Sequence, residues 1–244
     1  SSKEMYDVVK KELKNKFDSN QEEKTYKDII TKDAITDKGL FDIHKVKEKY
    51  FYEINDSLLG REMLMVTRIA KTASGLGFGG GKQNTQVLRW QIKDNKILLR
   101  VVSHNVVASD SLPVNEAVLN SNFEPILYSF KIESKGIDST STLIEVTKLF
   151  NEDVKPLGFP QSRRKGYKIS SLNSKKSFIE SIKSYPENIE SRHVKTYNSS
   201  SPPSNSSTGT ISLEINNSMI LLPKTPMKRR YFDQRVGWFA RSQV

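Results

Sequence analysis

Apolar side chains in this chain alternate with polar ones far more often than they recur at helical spacing, and the alternation comes in short paired runs. The clearest pair is Gln86 to Gln91 with Lys96 to Ser103, joined across Lys93-Asp94-Asn95, in which Val87, Leu88 and Trp90 face Ile97 to Val102. That pattern predicts a β-hairpin. A second hairpin is predicted where Phe41, Ile43 and Val46 precede a Lys/Glu-rich turn and Tyr50, Phe51, Tyr52 and Ile54 follow it. Asp56 to Gly60 offers a capping side chain, a short helical turn and a terminating glycine, and Met63 to Ala70 then alternates as a strand. Pro125 to Ile132, Thr142 to Val146 and Ile189 to Tyr197 continue the series, with a turn near Lys135-Gly136. Thr210 to Ile215 and Met219 to Leu222 read as one more hairpin, turning at Asn216-Asn217.

Helical spacing is sparse. Met5, Val8, Val9, Leu13 and Phe17 predict one weakly amphipathic helix, and Ser19 to Gly39 has so few large apolar residues that it reads as a tether. Short helices are expected over Val114 to Asn122, Thr147 to Glu152 and Ser177 to Ser184, the last ending before Pro186. Lys155 to Arg164 carries two prolines and a glycine and is expected to be irregular. The glycine-rich stretch 72–84 and the Ser/Asn/Pro stretch 198–209 predict loops. The chain therefore divides into a charged N-terminal helix and tether, 1–36, and a β-rich domain, 37–244. The fold class is α+β and β-rich: mainly antiparallel sheets of hairpins with a few short helices, because strands follow one another through turns rather than helical crossovers.

Composition removes several chemistries. There is no cysteine, so disulfides, thiolate metal sites and a cysteine nucleophile are excluded. No run of about 18 apolar residues predicts a transmembrane helix, and Ser1 opens a charged segment unlike a signal peptide, so an exported protein would have lost its targeting segment. The net charge of +11 favours polyanionic partners. Basic residues concentrate at Lys10 to Lys16, at Arg163 to Lys168 and at Lys228 to Arg230, without a helix-turn-helix, zinc-finger or RNP-like pattern, so specific nucleic-acid binding is not expected.

Motif tests leave no catalytic candidate in the chain. Gly75, Gly77 and Gly80 fit GxGxxG and Lys82 follows a glycine, yet Leu76 and Gln83 break the phosphate-loop pattern and a strand follows instead of a helix. A zincin needs two histidines four residues apart with a glutamate between them, whereas His44, His104 and His193 are widely separated. No G-x-S-x-G elbow accompanies them, and the acidic pairs Glu22-Glu23 and Glu152-Asp153 lie in polar surroundings that raise no pKa. One constellation remains, in the closing YFDQRVGWF. Tyr231, Phe232, Trp238 and Phe239 are aromatics of a kind that seldom end a domain in solvent, and Asp233 and Arg235 between them are costly to bury unless matched. These six residues are a candidate interface that calls for a partner surface beyond Val244.

The stretches TKDAITDKGLFDIHKVKEKYFYEINDSLLGREMLMVTRIAK, RWQIKDNKILLRVVS, SFIESIKSYPENIE, PPSNSSTGTISLEINNSMILLP and YFDQRVGWF together resemble the amino-terminal half of the Bacteroidetes zinc-dependent metalloproteases. In that family domains of unknown function precede a carboxyl-terminal HExxHxxGxxH zinc domain. The resemblance implies a noncatalytic scaffold, accessory or propeptide-like region, with no cofactor bound by these residues and zinc held further along the full-length protein. It also implies export, with a periplasmic, outer-membrane-associated or extracellular location, and as partners the metallopeptidase domain of the same protein and envelope proteins. Two other readings stand beside it: a cell-envelope binding module of an outer-membrane assembly, and a basic polyanion-binding domain.

Overall fold

The structure, a computed structural model, describes residues 25–108, 111–225, 227 and 235. The helix expected over Met5 to Phe17 lies outside the described residues. The described chain forms twelve antiparallel strands: β1 (Ile35–Asp37), β2 (Asp42–Val46), β3 (Lys49–Asn55), β4 (Glu62–Lys71), β5 (Lys82–Lys93), β6 (Lys96–Val102), β7 (Ile126–Lys135), β8 (Ser141–Glu145), β9 (Ile169–Leu172), β10 (Phe178–Ser184), β11 (Asn188–Ser199) and β12 (Thr210–Leu221). The short helices are α1 (Tyr26–Ile29), α2 (Val114–Ser121), α3 (Thr147–Asn151) and α4 (Gln161–Arg164). This is the β-rich, mainly antiparallel α+β fold that the alternation predicts.

The strands form one sheet in the order β1-β2-β3-β8-β7-β6-β5-β4-β12-β11-β10, with β9 added beside β11. The sheet curls until it is nearly closed. At the seam the Leu40 N–H donates to Tyr185 O at 2.7 Å, the Ser184 N–H to Asp37 Oδ2 at 3.0 Å, and Ser184 Oγ to Phe41 O at 2.7 Å. Gly39 permits this approach, since a Cβ there would stand 2.8 Å from both the backbone nitrogen and oxygen of Tyr185. Closure protects edges that would otherwise offer unpaired backbone groups.

Period-two alternation places one face of each strand inside. Tyr52 and Ile54 from β3, Met63 and Met65 from β4, Leu88 and Trp90 from β5, Ile97 and Leu99 from β6, and Met219 from β12 fill the interior. Trp90 sits at its centre, with ring centroids of Phe130, Phe41 and Tyr52 at 5.5, 5.9 and 6.2 Å. These tilted and edge-on geometries suit the aromatic quadrupoles. Ile29 of α1 packs on the outer face against Phe51 and Leu143, so the segment that reads as a tether does bury a side chain.

Several elements differ from the expectation. Ser177 to Ser184 is not a helix but β10. A bulge between Ile179 and Ser181 leaves Glu180 unpaired, so Ile179 and Ile182 stand three residues apart in a strand, the spacing that imitates a helix. Asn216 and Asn217 make no turn, because β12 runs through them without interruption. The Asn217 side chain donates inward to Thr67 Oγ1 at 2.7 Å and that of Asn216 donates to Glu190 Oε2 at 2.9 Å, so tertiary partners satisfy amides that would otherwise favour a turn. The irregular stretch from Lys155 contains a 3-10 turn, Lys155–Leu157, as well as α4. Strands β1 and β9 were not foreseen, and β5 starts inside the stretch predicted as a glycine-rich loop.

Candidate functional site

The most concentrated buried chemistry lies where the chain between β8 and β9 enters one end of the sheet. Along β11 the inward positions are Ile189, Ser191, His193, Lys195 and Tyr197, so four successive side chains with polar groups share a face with the core. Ser191 donates to Asn217 O of β12, whereas His193, Lys195 and Tyr197 each hold the backbone of the entering segment. His193 Nε2 lies 3.3 Å from Leu157 O, Lys195 Nζ donates to Glu152 O at 2.5 Å, and the Phe159 N–H donates to the Tyr197 hydroxyl at 3.0 Å. From β4, Thr67 Oγ1 donates to Pro156 O at 3.0 Å. Leu149, Phe150, Leu157 and Phe159 of the same segment are buried. The segment is a plug, fixed by apolar burial and by polar groups that reach its carbonyls.

Electrostatics follow from that enclosure. Burial, helped by the charge of Lys195 and opposed by the bond to Leu157 O, pulls the His193 imidazole down to about 3. Lys195 has no exposed surface, and burial lowers its ammonium to about 8 while Asp153 and Glu152 oppose the shift. Burial raises the Tyr197 phenol to about 12. Arg164 makes a bidentate pair with Asp153, both contacts at 2.6 Å, and its guanidinium stacks over the Tyr197 ring at 4.8 Å. That pairing holds Asp153 below the usual carboxylate range. A lysine of lowered pKa is a frequent mark of a reactive group, but here the amine is spent on a carbonyl inside the protein, where no substrate reaches it.

A groove of about 420 Å³ runs along the outer side of the plug, lined by Leu127, Tyr128 and residues 152–156. Beside the charged Glu152, Asp153 and Lys155, its lining includes Tyr128, whose hydroxyl donates to Glu152 Oε2 at 3.0 Å. Burial first, and then this carboxylate, raises the phenol to about 12, so it is neither nucleophile nor base near neutrality. A second cavity, between Trp90 and Asn217 in the core, measures about 10 Å³ and has room for nothing beyond one water.

The other histidines occupy separate places. His44 Nδ1 is 2.8 Å from Thr36 Oγ1 and its Nε2 is 3.0 Å from Glu53 Oε2, an order of hydroxyl, imidazole and carboxylate that superficially matches a hydrolase triad. Glu53, however, also accepts from Tyr26 at 2.7 Å and from Ser141 at 2.5 Å, and neither concavity described above touches Thr36. These donors, His44 foremost, bring the Glu53 carboxyl down to about 2. The cluster ties α1, β1, β2, β3 and β8 together on the outer face. His104 lies 2.9 Å from Glu62 Oε2, and Glu62 also pairs with Arg89 at 2.7 Å. Among the described residues no three His, Asp or Glu side chains converge as metal ligands, so they do not fit a zinc centre.

Of the candidate interface residues, Tyr231, Phe232, Asp233, Trp238 and Phe239 lie outside the described residues, and Arg235 is exposed in a turn. Sequence reasoning missed the group formed by His193, Lys195 and Tyr197. Its signal was parity: Ile189 and Tyr197 are an even number of residues apart, which puts the polar residues between them on the inward side.

Residues 80–244 match Domain of unknown function (DUF5117). This chain belongs to the DUF5117 family. Residues 23–72 match a second one, Domain of unknown function (DUF5118), so the DUF5117 match starts in the loop before β5 and the other ends just after β4. The nearly closed sheet draws strands from both matches, because β4 pairs with β5 and β3 with β8. No curated protein and no solved structure matches the chain. No helix among the described residues is long and apolar enough to cross a membrane, which leaves membrane-crossing strands unaddressed.

Proposed function

We propose that this chain is the noncatalytic accessory region of an exported zinc-dependent metallopeptidase, a support for a zinc domain carried elsewhere in the same protein. The observation that carries the reading is how the polar side chains are used. His193, Lys195 and Tyr197 hold the plug, His44 and Glu53 clamp the outer face, and His104 and Arg89 share Glu62. Groups that peptidases employ for chemistry are here committed to holding chain segments together. The family resemblance of the sequence supports the peptidase context, a location in the periplasm or at the outer membrane, and a zinc domain as partner.

Casein hydrolysis by the isolated 244-residue chain with added zinc is the direct test. No turnover is expected. Turnover that a chelator abolishes overturns the assignment, as does a full coding sequence that contains no HExxH helix.

A further inference from the structure

At the end of the sheet where β4 meets β5 three loops come together, and their chemistry is unlike the rest of the surface. The first is the glycine loop 72–81, the second runs from α4 to β9, and the third is the Ser/Asn/Pro loop 200–209. Arg163 Nη2 donates to Leu76 O at 3.0 Å, its guanidinium lies over the rings of Phe159 and Tyr167, and the Ser200 N–H donates to Lys168 O at 3.4 Å. A Cβ on Gly75 would meet Pro203 at 3.1 Å, so the first and third loops touch as well. The base of the glycine loop is thus fixed, with Leu76 buried at 7% exposure.

Two residues later Phe78 is 98% exposed, the most exposed large apolar side chain of the described residues. It stands between Gly77 and Gly80, whose φ angles of +102° and +86° suit glycine, and neither glycine has a neighbour within 4 Å of a Cβ position. Gly79 packs on Ala70, where a Cβ would stand 2.5 Å from Ala70 O, and the Gly80 N–H donates to Ile69 O at 2.7 Å, so a backbone held on both sides of Phe78 presents the phenyl ring outward without any packing role inside the protein. A solitary exposed Phe is unremarkable by itself. What distinguishes this one is the charge around it.

The stretches 63–93, 154–179 and 191–213, which supply these loops and most of the strands that feed them, contain no Asp or Glu at all. Arg68, Lys71, Lys82, Arg163, Lys165 and Lys168 belong to the same end. Two acids of the neighbouring strand and segment are already engaged: Glu214 is buried and pairs with Lys71 and Arg192, and Asp153 pairs with Arg164. The outcome is a face of one sign with an apolar tip at its end.

We propose that this face docks peripherally on an anionic lipid bilayer, with Phe78 entering the interface and the surrounding lysines and arginines meeting lipid phosphates. A bilayer fits both features together, because surface cations gain from anionic headgroups while an aromatic tip gains from the acyl boundary. A free polyanion rewards only the cations. The inference stands independently of the peptidase reading.

The test is co-sedimentation of the 244-residue chain with vesicles of phosphatidylcholine alone and of an equimolar mixture of phosphatidylcholine and phosphatidylglycerol, whose anionic surface attracts lysine and arginine side chains. Binding to the anionic vesicles and not to the neutral ones is expected. Phe78→Ser should weaken it by about tenfold, and Lys82→Glu with Lys165→Glu by at least about tenfold. Because Phe78 packs on nothing, Phe78→Ser should unfold at the wild-type temperature and retain wild-type affinity for heparin, which has no apolar interior. Anionic-vesicle binding unchanged by Phe78→Ser would mean polyanion attraction only and overturns the proposal. Failure to bind vesicles at about 0.1 M salt, or equal binding to neutral ones, overturns it too.

Discussion

The plug makes stability depend on one imidazole. His193 is fully enclosed beside the Phe150 ring, at a centroid distance of 5.4 Å, and its Nδ1 has no hydrogen-bond partner, so a proton added there would be a buried charge with nothing to accept it. The folded-state value of about 3 compares with 6.5 for an exposed histidine. Above pH 6.5 both folded and unfolded chains carry neutral imidazole, and the contribution to stability is complete. As pH falls below 6.5 the unfolded chain takes up a proton that the folded chain refuses, so stability drops, and it continues to drop until pH 3. Between pH 7 and pH 5 the linkage amounts to about 2 kcal/mol. At this chain length that corresponds to roughly 4–8 °C in Tm. Urea titrations at pH 7, 6 and 5, followed by circular dichroism, measure it. His193→Gln keeps an N–H donor for Leu157 O but does not titrate, and it leaves His44 and His104 in place, so their contributions cancel in the comparison. The stability gap between wild type and variant should narrow by about 2 kcal/mol from pH 7 to pH 5. A gap independent of pH refutes the reasoning, as does an NMR titration in which the His193 ring protonates near pH 6 in the folded protein.

Two further substitutions probe the same architecture. For Lys195, lowered to about 8 from the ordinary 10.5, both states are protonated below pH 8 and the burial penalty is fully felt; it is relieved as pH rises to 10.5. Wild type should therefore gain about 3 kcal/mol relative to Lys195→Met across that range, and parallel denaturation midpoints at pH 8 and pH 10.5 would contradict it. Gly39→Ala places a methyl 2.8 Å from the Tyr185 backbone and 2.5 Å from Ser184 Oγ, so the seam must open, at a cost of about 1–3 kcal/mol, and hydrogen exchange should quicken at Leu40 and Ser184.

Local pattern carried the sheet but not its interior. Val87, Leu88 and Trp90 opposite Ile97 to Val102 were legible because side chains alternate and the turn between them is short. The same rule failed at β10, where one extra residue at Glu180 converts a spacing of two into a spacing of three, and at Asn216-Asn217, where residue type suggested a turn. In both places the deciding information is a partner strand distant in sequence. Strand order lies further from local pattern still: β3 pairs with β8 and β4 with β12, and no neighbouring residues announce those choices. The plug was unreadable for a related reason. Its carbonyls at Glu152, Pro156 and Leu157 find donors on β4 and β11, and nothing in a Pro- and Gly-containing stretch says which strand will supply them.

The polar strip inside the sheet also explains why the plug sits where it does. An apolar strip would hold a segment of suitable volume in several registers, since hydrophobic burial has little directional preference. Thr67, His193, Lys195 and Tyr197 instead meet specific backbone atoms at Pro156, Leu157, Glu152 and Phe159, so a shift of one residue would strand several buried polar groups at once. Each stranded group costs about 1–3 kcal/mol. The strip therefore selects one register at the expense of some stability, which is why replacing Lys195 by an apolar residue relieves a penalty while removing a constraint on position. The end of the sheet nearest α4 inherits that fixed position through Arg164, whose pairing with Asp153 and bond to Phe159 O set where Arg163 meets the glycine loop. Asp153→Asn should consequently loosen the loop that carries Phe78 without touching it, which faster hydrogen exchange at the Leu76 and Gly80 amides would report and unchanged exchange there would refute.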